Sequence, residues 1–232
     1  MDDPDVVQDA FAAAAKALTR STHVVALVGT TQPRQHRPPI TGSATLWAQQ
    51  ADKPSAGHVA LASLERDGFL HHLITQDTDG LQRRAGSQSV TEVHGTTSKL
   101  RCMECGARVE LVEVPADRLP PRCSSCQGLM RPDAMMPGDA VPAGLLAACK
   151  EHIGRCDALL VLSTPGLVHP AANFPMVARA RGAWLIEVSQ CETPVSAHCD
   201  IVIKADALTA LPTLAERVRE HRRVAGVPPR AA

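Results

Sequence analysis

"HVVALVG", residues 23–29, is the stretch whose reading decides the fold. Five apolar residues, three of them valine, run without polar interruption and stop at Gly29. A short β-branched run of this kind, bounded by glycine, reads as a strand buried on both faces. Upstream, Asp5–Arg20 is Ala-rich and places Val6, Val7, Ala10, Phe11, Ala14 and Leu18 at helical spacing. Helix then buried strand is the first unit of a pattern that repeats along the chain.

Ala56–Asp67 reads as a helix closed by Gly68, followed by "FLHHLIT" (69–75) and a short "SVTEVHG" (89–95) as strands. "DALLVLS" (157–163), "AWLIEV" (183–188) and "DIVIKA" (200–205) continue the strands. Ala143–Gly154, Ala171–Arg181 (ended by Gly182) and Ala207–Arg223 continue the helices, and "VAGVPPRAA" (224–232) reads as a disordered tail. Apolar strands alternating with helices predict an α/β, Rossmann-like doubly wound parallel sheet, covered on both faces. The Cys-containing segment interrupts the alternation. The expected division is a large domain over 1–98 and 141–232 with a small inserted module over 99–140. Such sheets bind ligands outside the carboxyl ends of their strands. Gly29, Thr75, His94 and Ser163 all fall at such ends.

Composition narrows the function. Lys plus Arg and Asp plus Glu balance at 24 each in 232 residues, so no polybasic nucleic-acid surface is expected. Aromatic residues make 2% of the chain, with no Tyr, which argues against base stacking. The N-terminus "MDDPDVVQDA" is acidic and carries no signal-peptide pattern, and no apolar run is long enough for a membrane span. A cytoplasmic location is the expectation. Oligomeric state is not legible.

Four of the eight cysteines form two pairs, Cys102-x2-Cys105 and Cys123-x2-Cys126. Two such knuckles supply four thiolates in a tetrahedron, which suits Zn²⁺ and leaves no position for a reactive water. The metal is therefore expected to be structural. Cys149, Cys156, Cys191 and Cys199 lack such pairing and read as ordinary thiols; a second metal site including His198 is the weaker alternative.

Four stretches, in order, resemble the sirtuin family of NAD-dependent protein lysine deacylases. "HVALASLERDG" (58–68) is similar to the helix before the family's central motif. "TQDTDGLQRRAGSQSVTEVHG" (75–95) is similar to its T-Q-N-x-D-G-L-H…A-G-S…V-x-E-x-H-G. "CMEC…CSSCQGLMRPDAMMPGD" (102–139) resembles its zinc ribbon, and "HPAANFPMVARARGAWLIEV" (169–188) its second-half motif. The resemblance spans about Val24 to the last helix. It implies a Rossmann-like large domain and a zinc-ribbon small domain, with NAD and an acyl-lysine peptide meeting in the cleft between them. By position His94 is the general base on the nicotinamide ribose, after the acyl oxygen has attacked the anomeric carbon. An imidazole suits that task because it exchanges protons near neutrality. Gln76 and Asp79 fall at the family's ribose and nicotinamide-pocket positions, and Gly29, Thr30, Ser163, Thr164 and Ser189 at its other cofactor contacts.

The same alignment exposes departures. The family's G-A-G-x-S loop is Gly29-Thr30-Thr31-Gln32-Pro33 here, which exchanges small residues for β-branched ones and removes an N–H. Its P-D-F-R is Pro39-Ile40-Thr41-Gly42, its G-T-S is Ser163-Thr164-Pro165, and its adenosine-ribose Asn is Ser189. Its F-G-E is Pro137-Gly138-Asp139, and the His closing the central motif is Gln82. Asp77 replaces Asn, so an ionised side chain at that position only accepts hydrogen bonds. These changes fall on NAD-contacting positions. Read from the sequence, they favour a pseudoenzyme or protein-binding module that keeps zinc and His94. The alternative is an active deacylase or ADP-ribosyl transferase with a rebuilt loop, in which Arg34, His36 and Arg37 grip phosphates. A third reading is a different reaction in the same cleft, with His94 and Asp77 as acid–base partners.

Overall fold

The structure, a computed structural model, describes residues 4–29, 53–114, 120–135, 139–164 and 169–226. Thr30 and the rest of the loop after Gly29, with Arg34, His36 and Arg37, lie outside the described residues, as do Pro137, Gly138 and Pro165.

Helix α1 (Pro4–Arg20) leads into β1 (Val24–Val28), the strand the opening stretch predicts. Helix α2 (Ala56–Arg66) starts at Ser55, whose hydroxyl accepts from the His58 N–H. Strand β2 (His72–Thr75), the short helix α3 (Leu81–Arg84) and β3 (Val90–Glu92) follow. After the small sheet come α4 (Ala143–Arg155), β7 (Ala158–Leu162), α5 (Phe174–Ala180), β8 (Trp184–Val188), β9 (Ile201–Ile203) and α6 (Ala207–Ala225). The six strands of the large sheet run in the order β3-β2-β1-β7-β8-β9, all parallel. The order in which strands are added reverses between β1 and β7, so their carboxyl ends frame the switch-point crevice.

Period-two alternation sends the strand side chains to two cores. Val24, Ala26 and Val28 join Leu160, Leu162 and residues of α1, α2 and α6. Val25 and Leu27 join Leu159, Val161 and residues of α4 and α5 on the other face. Both faces are covered, as continuous apolar runs require.

Several boundaries differ from expectation. The strand within 69–75 begins only at His72, because Phe69 and Leu70 are still folding back onto Leu64. The helix expected from Ala171 opens as a tight 3-10 turn over Ala171–Asn173 and turns α-helical at Phe174. Helix α6 runs on through Val224 and Ala225, residues read as tail, and stops at left-handed Gly226. The Cys-containing segment that interrupts the alternation, with the residues just before it, forms an antiparallel sheet, β5-β4-β6: β4 (Gly95–Cys102), β5 (Arg108–Glu110) and β6 (Met130–Ala134). Its core is Leu100 and Leu111, with Val109, Val114 and Met130 packed alongside.

Candidate functional site

The two cysteine pairs converge. The Sγ atoms of Cys102, Cys105, Cys123 and Cys126 all lie within 4.8 Å of one another. Cys102 and Cys126 are 3.5 Å apart and Cys105 and Cys123 3.7 Å. Metal–sulfur bonds of ~2.3 Å in a tetrahedron require sulfurs about 3.8 Å apart, a spacing the two closest pairs match, so the donor set suits Zn²⁺. Its electrostatics call for a cation. N–H groups of Cys126 and Ser125 stabilise the Cys123 thiolate and lower that thiol to about 6. At Cys126 the Gly128 N–H favours the thiolate, yet the neighbouring Cys102 and Cys105 sulfurs outweigh it and push the thiol up to about 12. Four thiolates this close coexist only around a dication. Among the described residues no other group of three His, Cys, Asp or Glu side chains converges in this way, His198 included.

Of the other cysteines, Cys149 and Cys156 are fully buried, and burial pushes both thiols up to about 11. Burial likewise pushes Cys199 up to about 12. These are inert packing thiols. Cys191 is exposed.

The second constellation sits at the carboxyl ends of the large sheet. The Gly29 N–H donates to the Leu162 carbonyl at 2.8 Å. A side chain at Gly29 would collide with the Ser163 carbonyl and Thr164 Cα, so only glycine permits this approach of β1 to β7. Ser163 adopts a left-handed backbone, φ 46°, which turns Thr164 toward the crevice side of the β1 end. There the Thr164 hydroxyl accepts from Gln76 Nε2 at 3.1 Å. The Gln76 N–H in turn donates to the Val28 carbonyl, tying the β2 end to β1.

Asp77 follows, 4% exposed, with its N–H on the Thr75 hydroxyl. Asp79 is also buried; its carboxylate accepts from the Leu81 N–H at 2.9 Å and so starts α3. Ser189 ends β8, its hydroxyl donating to the Cys191 carbonyl. Two strands, β1 and β7, separate it from Gln76 in the sheet order. The structure thus joins Gly29, Ser163, Thr164 and Gln76 directly. His94 is joined to Gln76, as follows.

His94 Nδ1 lies 3.1 Å from the Gln76 carbonyl oxygen. A carbonyl only accepts, so Nδ1 carries the proton and Nε2 is the basic nitrogen of the ring. The backbone fixes the ring from both sides. The Val93 N–H donates to Thr75 in the large sheet, and the His94 carbonyl accepts from the Met135 N–H beside the small sheet. Gly95, at φ +74°, makes the turn between them, and a methyl there would strike the Asp133 carbonyl. His94 is therefore the last residue before the chain changes sheets.

Two features escaped the sequence reading. Glu187 is buried in β8 and accepts hydrogen bonds from the Thr193 and Ser196 hydroxyls, which shapes the loop after Ser189. A lone acid inside the apolar run "WLIEV" was its available signal. His72 stacks on His152 with ring centroids 3.6 Å apart, and His23 stacks on His152 in turn. These histidines are spread over 130 positions, and only the fold brings them together at the opposite end of the strands. Gln82, at the family's His position, has no donor to its buried Oε1 among the described residues. No described helix is long and apolar enough to cross a membrane.

Comparison with known proteins gives a consistent result. The model of the Sir2 family matches residues 11–170. NAD-dependent protein deacylase 2 of Pyrobaculum aerophilum is 38% identical over 180 residues, 76% of this chain and 72% of that protein. The NAD-dependent protein deacylase of Aquifex aeolicus is 38% identical over 168 residues, 72% of this chain and 70% of that protein. Among solved structures, a Sir2 homologue in complex with NAD superposes with a TM-score of 0.80 at 28% identity, covering 89% of this chain and 93% of that one. A Sir2 protein bound to a myristoylated histone peptide superposes with a TM-score of 0.78 at 29% identity, covering 94% and 99%.

Proposed function

The chain belongs to the Sir2 family, and from that premise we propose that it is an NAD-dependent protein lysine deacylase with His94 as its general base. The observation that carries this reading is the His94–Gln76 contact. It fixes the tautomer with Nε2 basic, at the end of a strand and beside the crevice. The relatives named NAD-dependent deacylases and the neighbours that hold NAD or an acylated peptide support it.

The described side of the site suits a ribose. Gln76, Asp79 and Thr164 offer amide, carboxylate and hydroxyl groups at the carboxyl ends of β2 and β7, either side of β1, a set rich in acceptors for sugar hydroxyls. NAD supplies the electrophilic anomeric carbon and the nicotinamide leaving group. The protein's part is to receive the proton at His94 Nε2, to keep the Gln76 amide oriented through Thr164, and to hold the acyl-lysine against the crevice.

One observation favours a second reading, a protein-binding module without turnover. Asp77 is a carboxylate buried among these groups, and its charge would oppose a bound pyrophosphate. The two readings part in one assay. The chain is given NAD and an acetyl-lysine peptide, and both nicotinamide and free lysine are quantified by mass spectrometry. Stoichiometric release, lowered at least about a hundredfold by His94→Ala, supports the deacylase. No release, together with no calorimetric signal at millimolar NAD, sinks it. Turnover that appears only in Asp77→Asn establishes the second reading.

A further inference from the structure

The register of the small sheet sets three arginines side by side. Arg101 in β4 stands opposite Arg108 of β5 and also opposite Arg131 of β6. Like charges directly opposite one another on a sheet repel, so this row is unfavourable unless anions join it. Two do. The Asp133 carboxylate meets Arg108 Nε at 2.6 Å and Arg101 Nε at 3.4 Å, and Asp139 meets Arg131 Nη2 at 3.3 Å. Among the described residues, three guanidinium groups against two carboxylates leave one positive charge over. Arg131 Nε is buried and has no hydrogen-bond partner among the described residues, an unmet donor within the row.

All five side chains line one cavity of about 310 Å³, which reaches from Gly95 to Pro142 and Leu145. Helix α4 begins at its wall, and the N-cap residue, Pro142, makes no side-chain cap. The uncapped N–H groups of that first turn add a positive end to the same cavity. The excess of one charge matches a single carboxylate. The two aspartates in the wall work against a dianionic phosphate. Position indicates where the carboxylate comes from: the cavity starts at Gly95, the residue after His94, and includes Met135, whose N–H holds the His94 carbonyl.

We infer that the Arg108–Arg101–Arg131 row is an anion subsite that takes the carboxylate of an Asp or Glu flanking the acyl-lysine of the protein substrate. Naming the substrate rests on the deacylase reading; the subsite does not. The test is fluorescence anisotropy with labelled peptides at low salt. One pair carries acetyl-lysine flanked by Glu or by Gln, and a second pair carries unmodified lysine. The acetylated Glu peptide is expected to bind about tenfold tighter than its Gln twin. The preference should fall with added salt and disappear in Arg131→Gln. Arg108→Gln, on the exposed edge strand, should abolish it too, and keeps the test valid if the Arg131 variant misfolds. Equal affinities within both pairs, or a preference untouched by Arg108→Gln, overturns the subsite. A Glu preference confined to the unmodified pair, with neither acetylated peptide bound, upholds the subsite and counts against the deacylase reading.

Discussion

The two sheets of this molecule are held together by different forces. The large sheet buries both faces, with continuous apolar strands between two helical layers. Burial at roughly 25 cal/mol per Å² sustains such a structure without help. The small sheet has two fully buried apolar residues, Leu100 and Leu111, and a few partners. A core of that size cannot offset the entropy of ordering its strands and loops. The four thiolates supply what the core lacks. One region is stable because of many interchangeable contacts, the other because of four that cannot be exchanged.

The sharpest way to break this contrast is to remove the metal. Chelation, or Cys123→Ser, should unfold β4, β5 and β6 while β1, β2 and β7 stay folded. Structural zinc contributes on the order of 10 kcal/mol in small domains, so the effect should be all or none. Amide exchange by mass spectrometry reads it: the small-sheet peptides should exchange fast and the β1 and β7 peptides remain protected. Equal loss of protection in both regions would show that the large sheet depends on the metal as well.

Leu160→Ala tests the other side. This residue is 1% exposed in the centre of β7, and its truncation should cost about 2–5 kcal/mol. Urea unfolding followed by far-ultraviolet dichroism should record that loss, with the zinc content per folded chain unchanged.

A smaller effect sharpens the contrast within the large domain. Burial, followed by the neighbouring His152, His23 and Arg83 charges, lowers His72 to about 4, and its ring nitrogens lie against the Ser89 and Thr91 hydroxyls. The unfolded chain takes up that proton near pH 6.5, and the folded chain only near 4. The stabilisation is therefore complete above pH 6.5 and lost as pH falls toward 4, about 2 kcal/mol after a discount for solvent screening. Melting temperatures between pH 7 and 4.5 should show a slope that His72→Asn flattens. A slope unchanged by the substitution would move the origin elsewhere.

Legibility from sequence followed the same division. Apolar runs announced β1, β7 and β8 because burial on both faces leaves no polar alternation to confuse them. Paired cysteines announced the metal because thiolate geometry dictates their spacing. Two of the strands around that metal stayed hidden, since Arg108–Glu110 and Met130–Ala134 are too short and too polar to carry a period. The arginine row depends on register, and the histidine stack on tertiary proximity; neither leaves a local trace. At the strand ends the resemblance pointed to Gln76, His94 and Thr164. It could not disclose that Gln76 connects the other two, one through its carbonyl and one through its amide.

The turn at Val93–Gly95 has one more consequence. The small sheet joins the large one through His94 on one strand and through the residues after Ala134 on the other. It is inserted like a cassette whose upstream splice point is His94. Recombination or design could therefore trade the cysteine-bearing segment for another while keeping the large sheet. Two requirements remain: a glycine-compatible turn after His94, and an N–H at position 135 to donate to its carbonyl.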